Sequence, residues 1–186
     1  GTRYYSSKVY LFDKDNNTPV WSYTAADYVF TVDISADGEY IVAGDQDSYV
    51  YLFEQDDNSP LWSYQTGGGA DTVQSVSISA NGDYVLSSTQ NKDAYLFGKD
   101  SNTPIWTSNV DDYMRSVSIS ANGDYLALGS NNGNVYFHPT LIPKFSSIIS
   151  ESAYSTDSLP VSINADYYYA LSNITYFNWT IDNSTA

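Results

Sequence analysis

Apolar and polar positions alternate with period two along most of this chain, and short polar turns reset the alternation at regular intervals. Tyr28, Phe30, Val32 and Ile34 are set against Val29, Thr31, Asp33 and Ser35, and the rhythm returns as Val76-Ser77-Ile78-Ser79 and Val117-Ser118-Ile119-Ser120. This predicts a strand with one large and one small face, called strand a. Each copy runs into Ala36-Asp37-Gly38, Ala80-Asn81-Gly82 or Ala121-Asn122-Gly123, whose residues accept positive φ and predict a hairpin. Strand b follows at 39–43, 83–87 and 124–128, and a second polar turn at 45–48, 90–93 and 131–134. Strand c is the phrase Val9-Tyr10-Leu11-Phe12, Val50-Tyr51-Leu52-Phe53 and Ala94-Tyr95-Leu96-Phe97, which is apolar on both sides and needs cover on both faces. Third turns end at Pro19, Pro60 and Pro104, each opening a short strand d that carries Trp21, Trp62 or Trp106. Proline lacks an N–H, so that strand is expected at a sheet edge.

The spacing makes this a repeat of about forty residues. Gly38 to Trp62 and Gly82 to Trp106 are both 24 residues, whereas Trp21 to Gly38 and Trp106 to Gly123 are 17, and Trp62 to Gly82 is 20. The extra residues fall at Gly67-Gly68-Gly69, in a loop that tolerates insertion. Four antiparallel strands per repeat form one blade of a β-propeller, so the expected fold is all-β. The phase is informative. Tyr4 to Ser7 occupies a turn between b and c, Val9 begins a strand c, and the array ends in strand c near His138, which gives thirteen strands or about 3.25 blades. Rings of this kind close with four to eight blades, so that phase predicts the carboxy-terminal part of a larger propeller, residues 1–142. Residues 143–158 read as a linker. Residues 159–186 read as the start of a β-sandwich, with strands at 159–163, 167–171 and 174–181. The alternative is that those three strands finish a four-bladed ring.

Val-Tyr-Leu-Phe, a polar turn and Pro-Val-Trp resemble the strand, turn and docking tryptophan of quinoprotein-like (pyrroloquinoline-quinone-type) repeats. Ile-Ser-Ala-Asp-Gly-Glu-Tyr-Ile-Val-Ala-Gly (34–44) is similar to the first hairpin of WD-repeat and surface-layer propellers of prokaryotic, archaeal type. The likeness covers residues 1–138. It implies the blade, with Trp21, Trp62 and Trp106 wedged between neighbouring blades. The Thr-Gly of quinoprotein turns and the Gly-His and Trp-Asp pairs of WD repeats are absent, so neither family's specific activity is carried over. Asn173 to Ile181 resembles the central strand of immunoglobulin-like, polycystic-kidney-disease-type sandwiches.

Charge narrows the partners. Against 22 acidic residues stand 7 basic ones, a formal charge of −15, and the acids are scattered through the turns. A nucleic acid would be repelled at long range and meets no basic cluster. There is no cysteine, which excludes a disulfide, a thiolate zinc site and a catalytic thiol. No apolar run reaches the length of a membrane span, and Gly1-Thr2-Arg3-Tyr4 has no signal-peptide pattern, so any signal was removed or lies upstream.

The chemistry on offer is thin. The single histidine, His138, takes the place of the strand-c phenylalanine, and no nucleophile, phosphate-loop or dinucleotide motif accompanies it, so the chain reads as non-enzymatic and without a cofactor. Asp13, Asp15 and Asn17 present the alternating oxygens of a calcium loop, but the glycine and glutamate of that loop are missing and Asx turns explain the same residues. Asp33, where the sister repeats have Ser77 and Ser118, and Arg115 are candidates to face a central channel, as a pair across its mouth or singly in a wet funnel. Asn16, Asn173, Asn178 and Asn183 each open an N-glycosylation sequon. They point to an exported, extracellular or cell-surface protein acting as a scaffold or adhesion module. Its expected partners are copies of itself, other surface proteins or carbohydrate. A quinoprotein-like dehydrogenase and an intracellular WD-like scaffold are the alternatives.

Overall fold

The computed structural model describes residues 7–15, 17–67, 71–110 and 112–140. The expected linker, the expected sandwich strands and all four sequon asparagines lie outside the described residues. Thirteen strands and no helix make up the remainder. In chain order they are β1 (Lys8–Phe12), β2 (Pro19–Thr24), β3 (Val29–Ile34), β4 (Tyr40–Asp45), β5 (Tyr49–Glu54), β6 (Trp62–Gln65), β7 (Val73–Ile78), β8 (Tyr84–Thr89), β9 (Asp93–Gly98), β10 (Trp106–Asn109), β11 (Met114–Ile119), β12 (Tyr125–Ser130) and β13 (Val135–Pro139).

All pairing is antiparallel. Sheets β3-β4-β5-β6 and β7-β8-β9-β10 are complete blades in a-b-c-d order, and among the described residues β1-β2 supplies strands c and d of one further blade and β11-β12-β13 strands a, b and c of another. The phase and strand count read from the sequence hold, and the described fold is a partial β-propeller of all-β class.

The core lies between blades, which explains why strand c is apolar on both sides. Val9 and Ala25 of the β1-β2 sheet pack with Ile41, Ala43, Tyr51 and Phe53 of the next blade. On the opposite face of that blade, Val42, Val50, Leu52 and Trp62 pack with Val73, Val76, Ile78, Val85 and Phe97 of the following one. Successive residues of one strand point to opposite faces, so each blade is glued on both sides. A fully buried Val, Leu, Ile or Phe contributes about 1.5–3 kcal/mol relative to an exposed one, and such residues fill every internal interface.

Two local features depart from the sequence pattern. The alternation of strand a is broken in every copy by a bulge between Val29 and Thr31, Val73 and Ser75, and Met114 and Ser116. Phe30, Gln74 and Arg115 are therefore the extra residues. The bulge lets Val73 and Met114 be as buried as the next large residues, which strict alternation across Gln74 or Arg115 forbids. Strand b is displaced by one residue, at 40–45, 84–89 and 125–130, because Glu39, Asp83 and Asp124 belong to the turn.

In the first hairpin only glycine takes positive φ, at +79° (Gly38), +73° (Gly82) and +75° (Gly123). In the turn between b and c the positive-φ position is Ser48 (72°), Lys92 (79°) and Gly133 (87°), a demand that two of three copies meet without glycine.

Candidate functional site

Strands β3, β7 and β11 lie side by side as the innermost strand of each blade. An innermost strand pairs on one side only, so alternate N–H groups along its free edge need other acceptors. The small face of the preceding strand a supplies them. Thr31 Oγ1 accepts from the Val76 amide (3.2 Å) and Asp33 Oδ2 from the Ile78 amide (3.0 Å). One blade on, Ser75 Oγ accepts from Val117 (3.1 Å) and Ser77 Oγ from Ile119 (3.3 Å). The hairpins add a backbone ladder, Ala36 N to Ala80 O and Ala80 N to Ala121 O, both 2.9 Å. The polar face that could line a channel is thus a set of inter-blade rivets.

This places the two channel candidates. Asp33 uses its second oxygen to accept from the Ile34 amide at 2.9 Å. Arg115, on the bulge of β11, directs Nε and Nη2 to Asn131 Oδ1 at 3.1 and 2.9 Å. The two are not brought together: among the described residues the ion pairs are Lys14 with Asp15 and Lys99 with Asp83. Backbone N–H donors satisfy Asp33 and the Asn131 acceptor satisfies Arg115 instead.

The tryptophans sit at the outer rim. Trp21 Nε1 donates to Gln55 O (2.7 Å) and Trp62 Nε1 to Lys99 O (2.8 Å), each reaching from strand d of one blade to the c–d turn of the next. Their rings pack on Phe53 and Phe97, with centroids 5.5 and 5.1 Å away. Asn58 and Asn102 return a bond to Ser22 O (3.4 Å) and Ser63 O (3.2 Å). Trp106 packs on His138 at 5.0 Å, in the place the phenylalanines take in the other copies. His138 is therefore a packing ring on strand β13.

In the turn of the calcium candidate, Asp13 Oδ1 accepts from the Asp15 amide at 3.0 Å, an Asx turn, and Asp15 pairs with Lys14. Asn17 lies two residues beyond. Among the described residues no three His, Cys, Asp or Glu side chains gather as a metal-binding group.

The described acids with raised pKa values are structural. Burial pushes the Asp45 carboxyl above its usual range, although it accepts from the Tyr49 amide and the Tyr51 hydroxyl, both at 2.8 Å. Burial likewise raises Asp71, which accepts from the Asn91 amide at 2.8 Å. Both fasten the loop before strand a to the b–c turn.

On that same loop side, Tyr28 and Tyr113 occupy equivalent positions and are 42% and 43% exposed. Asp27 and Asp112 hold their amides through Oδ1, both at 2.8 Å. Two copies thus present an aromatic ring beside a carboxylate, with Arg115 next to one of them. The recurrence of Asp-Tyr before strand a was visible in the sequence, but its exposure was not, because the fully buried Met114 beside Tyr113 reads as equally apolar.

The chain matches the family model of the WD domain, G-beta repeat, over residues 17–54. No curated protein matches it. The matched segment runs from the turn before β2 to the end of β5, so one sequence repeat straddles two blades: strand d of one and a, b and c of the next. Each repeat therefore ties two sheets together covalently. The match and the four-stranded antiparallel sheets support a WD-like β-propeller repeat.

Proposed function

We propose that this protein is a non-enzymatic scaffold, exported to the cell surface, whose propeller acts as a rigid adhesion or assembly module. The observation that carries this reading is the use made of the strand-a oxygens. Thr31, Asp33, Ser75 and Ser77 are the groups a catalytic funnel would draw on, and each accepts a backbone N–H of the next blade. A quinoprotein-like dehydrogenase would need such groups for its cofactor and substrate.

The contact surface is the loop rim carrying Tyr28 and Tyr113 with Asp27, Asp112 and Arg115. A half-exposed tyrosine offers an apolar face and a polar tip, which suits stacking on a sugar ring or on a protein side chain. Export is supported by the four sequons, three of them within residues 173–185. Mass spectrometry of the protein from its native cells tests the reading. Glycan mass on Asn173, Asn178 or Asn183 is expected. Bare asparagines on protein recovered from the cytosol would instead establish the intracellular scaffold.

A further inference from the structure

Between the two complete blades lies a groove of about 250 Å³, walled by Tyr40, Glu54, Leu61 and Trp62 of one blade and by Lys99 and Asp100 of the next. We propose that this groove takes an arginine side chain of a protein partner, with its guanidinium between Glu54 and Asp100 and its stem along Leu61. Val29 pairs with Asp45 at one end of the sheet and Tyr40 with Glu54 at the other, so the groove lies away from the loop rim that carries Tyr28. It is a second contact surface, and it rests on the scaffold reading only in that its ligand is a protein.

Charge selects the ligand. Among the six lining residues Lys99 is the one cation, and it is already engaged: its Nζ lies 3.0 Å from Asp83 Oδ1 and 5.4 Å from the centre of the Tyr40 ring. The ion pairs among the described residues are this one and Lys14 with Asp15, which leaves Glu54 and Asp100 outside any ion pair; Asp100 acts on Lys99 only at longer range. Since Lys99 and Asp83 offset each other, the groove keeps two negative charges on a chain whose formal charge is −15. An anion is repelled there and a cation is drawn in.

Leu61 decides between a bare cation and a side chain. It is 46% exposed, and its amide donates to Leu52 O at 2.7 Å, which holds the residue at the groove's wall. An inorganic ion gains nothing from an apolar wall, whereas arginine lays its methylene stem along one while a planar guanidinium meets two carboxylates. The volume falls below the about 300–1,000 Å³ of small-molecule sites and suits a single long side chain.

The next interface shows that a blade does not need this arrangement for its own sake. Gly98 stands opposite Tyr84 where Glu54 stands opposite Tyr40. A Cβ on Gly98 would lie 3.4 Å from Ile105 Cδ1, so in that copy the aliphatic side chain leans over the place of the missing carboxylate. The clamp on the following a–b turn is kept by other means, Thr140 Oγ1 donating to Gly123 O where Lys99 meets Asp83. Strand pairing and blade contact thus proceed without a carboxylate at this position.

The probe is the peptide acetyl-Gly-Arg-Gly-amide, titrated into the intact chain at physiological salt beside its lysine and citrulline counterparts and followed by amide and indole nuclear magnetic resonance shifts. Saturable shifts at Glu54, Leu61, Asp100 and the Trp62 indole are expected, at least threefold tighter for arginine than for lysine. Citrulline keeps the shape and loses the charge, and should give none. Glu54→Gln and Asp100→Asn, both at exposed positions, are each expected to weaken binding at least fivefold with the urea midpoint unchanged. Asp47→Asn removes the same charge at the other end of the strands and should leave binding unaltered. Shifts that do not saturate, or an equal loss with Asp47→Asn, overturn the proposal in favour of general attraction to an acidic surface. Shifts at Tyr28 and Tyr113 in place of the groove residues also overturn it, and leave the loop rim as the contact surface of the scaffold.

Discussion

Substituting the three hairpin glycines one at a time separates the strain of the turn from the contact between blades. Gly38, Gly82 and Gly123 share nearly one backbone conformation, with φ of 79°, 73° and 75°. An alanine in that left-handed region costs about 1–2 kcal/mol wherever it is placed. Beyond that cost the sites differ. At Gly82 the new methyl would lie 2.2 Å from Tyr40 Cδ2 and 2.8 Å from Cγ, so the ring must leave its place on the neighbouring turn. Overpacking of this kind adds about 1–3 kcal/mol. Gly38→Ala is therefore expected to cost about 1–2 kcal/mol, and Gly82→Ala and Gly123→Ala about 2–5, by urea denaturation at constant m. The decisive measurement is a double-mutant cycle. Tyr40→Ala removes the obstacle, so Gly82→Ala in that background should fall back to the cost of the turn alone, a coupling of about 1–3 kcal/mol. Equal losses at Gly38 and Gly82, or a coupling indistinguishable from zero, would refute the inter-blade origin of the difference.

Other perturbations test the remaining features. Asp33→Ala should cost about 1–3 kcal/mol because it strands the part-buried Ile78 amide, whereas Asp33→Ser, the residue of the sister repeats, should stay within about 0.5 kcal/mol in the same denaturation assay. Ser87 is fully buried with no partner for its hydroxyl among the described residues, and Ala43 fills the equivalent place in the preceding blade. Ser87→Ala is accordingly expected to stabilise by about 1 kcal/mol, and a loss of stability would contradict that account. The folded pKa of Asp71 is raised above 3.8, so between that value and its folded pKa the folded chain holds more protons than the unfolded one and stability falls as pH rises. Asp71→Asn should therefore gain over wild type at pH 7, and a gap that failed to shrink towards pH 4 would count against it. At the alkaline end, burial first and Asp93 second push Tyr95 up to about 12 from 10.0. The unfolded chain loses this phenolic proton first, so stability should drop above pH 10 and drop less in Tyr95→Phe, followed by absorbance of tyrosinate during pH-jump unfolding.

Much of the fold was legible because a repeat states its local physics several times. The turn glycines recur at fixed distance from the tryptophans, so strand order and phase could be counted from the chain. The site was less legible. Thr31, Ser75, Asp33 and Ser77 read as a small face turned to water, since nothing local reveals that an N–H some 45 residues ahead will require their oxygens. One signal could have been used: tyrosine stands two residues after the turn glycine in every copy, at Tyr40, Tyr84 and Tyr125. Its persistence on the outward side of strand b marks a contact that a solvent-facing residue does not need.

The sequence by itself determined the all-β class, the four-strand unit and its turns, because period-two patterning and glycine or proline at turns act over a few residues. Only the tertiary structure decided the bulge at Phe30, Gln74 and Arg115, the separation of Asp33 from Arg115, the positive φ of Ser48 and Lys92, and the tyrosine rings over Gly82 and Gly123. Each of these is set by what the adjoining blade brings to a strand edge or a turn. That neighbour is distant in sequence and acts through shape and unpaired backbone groups, neither of which hydrophobic patterning records.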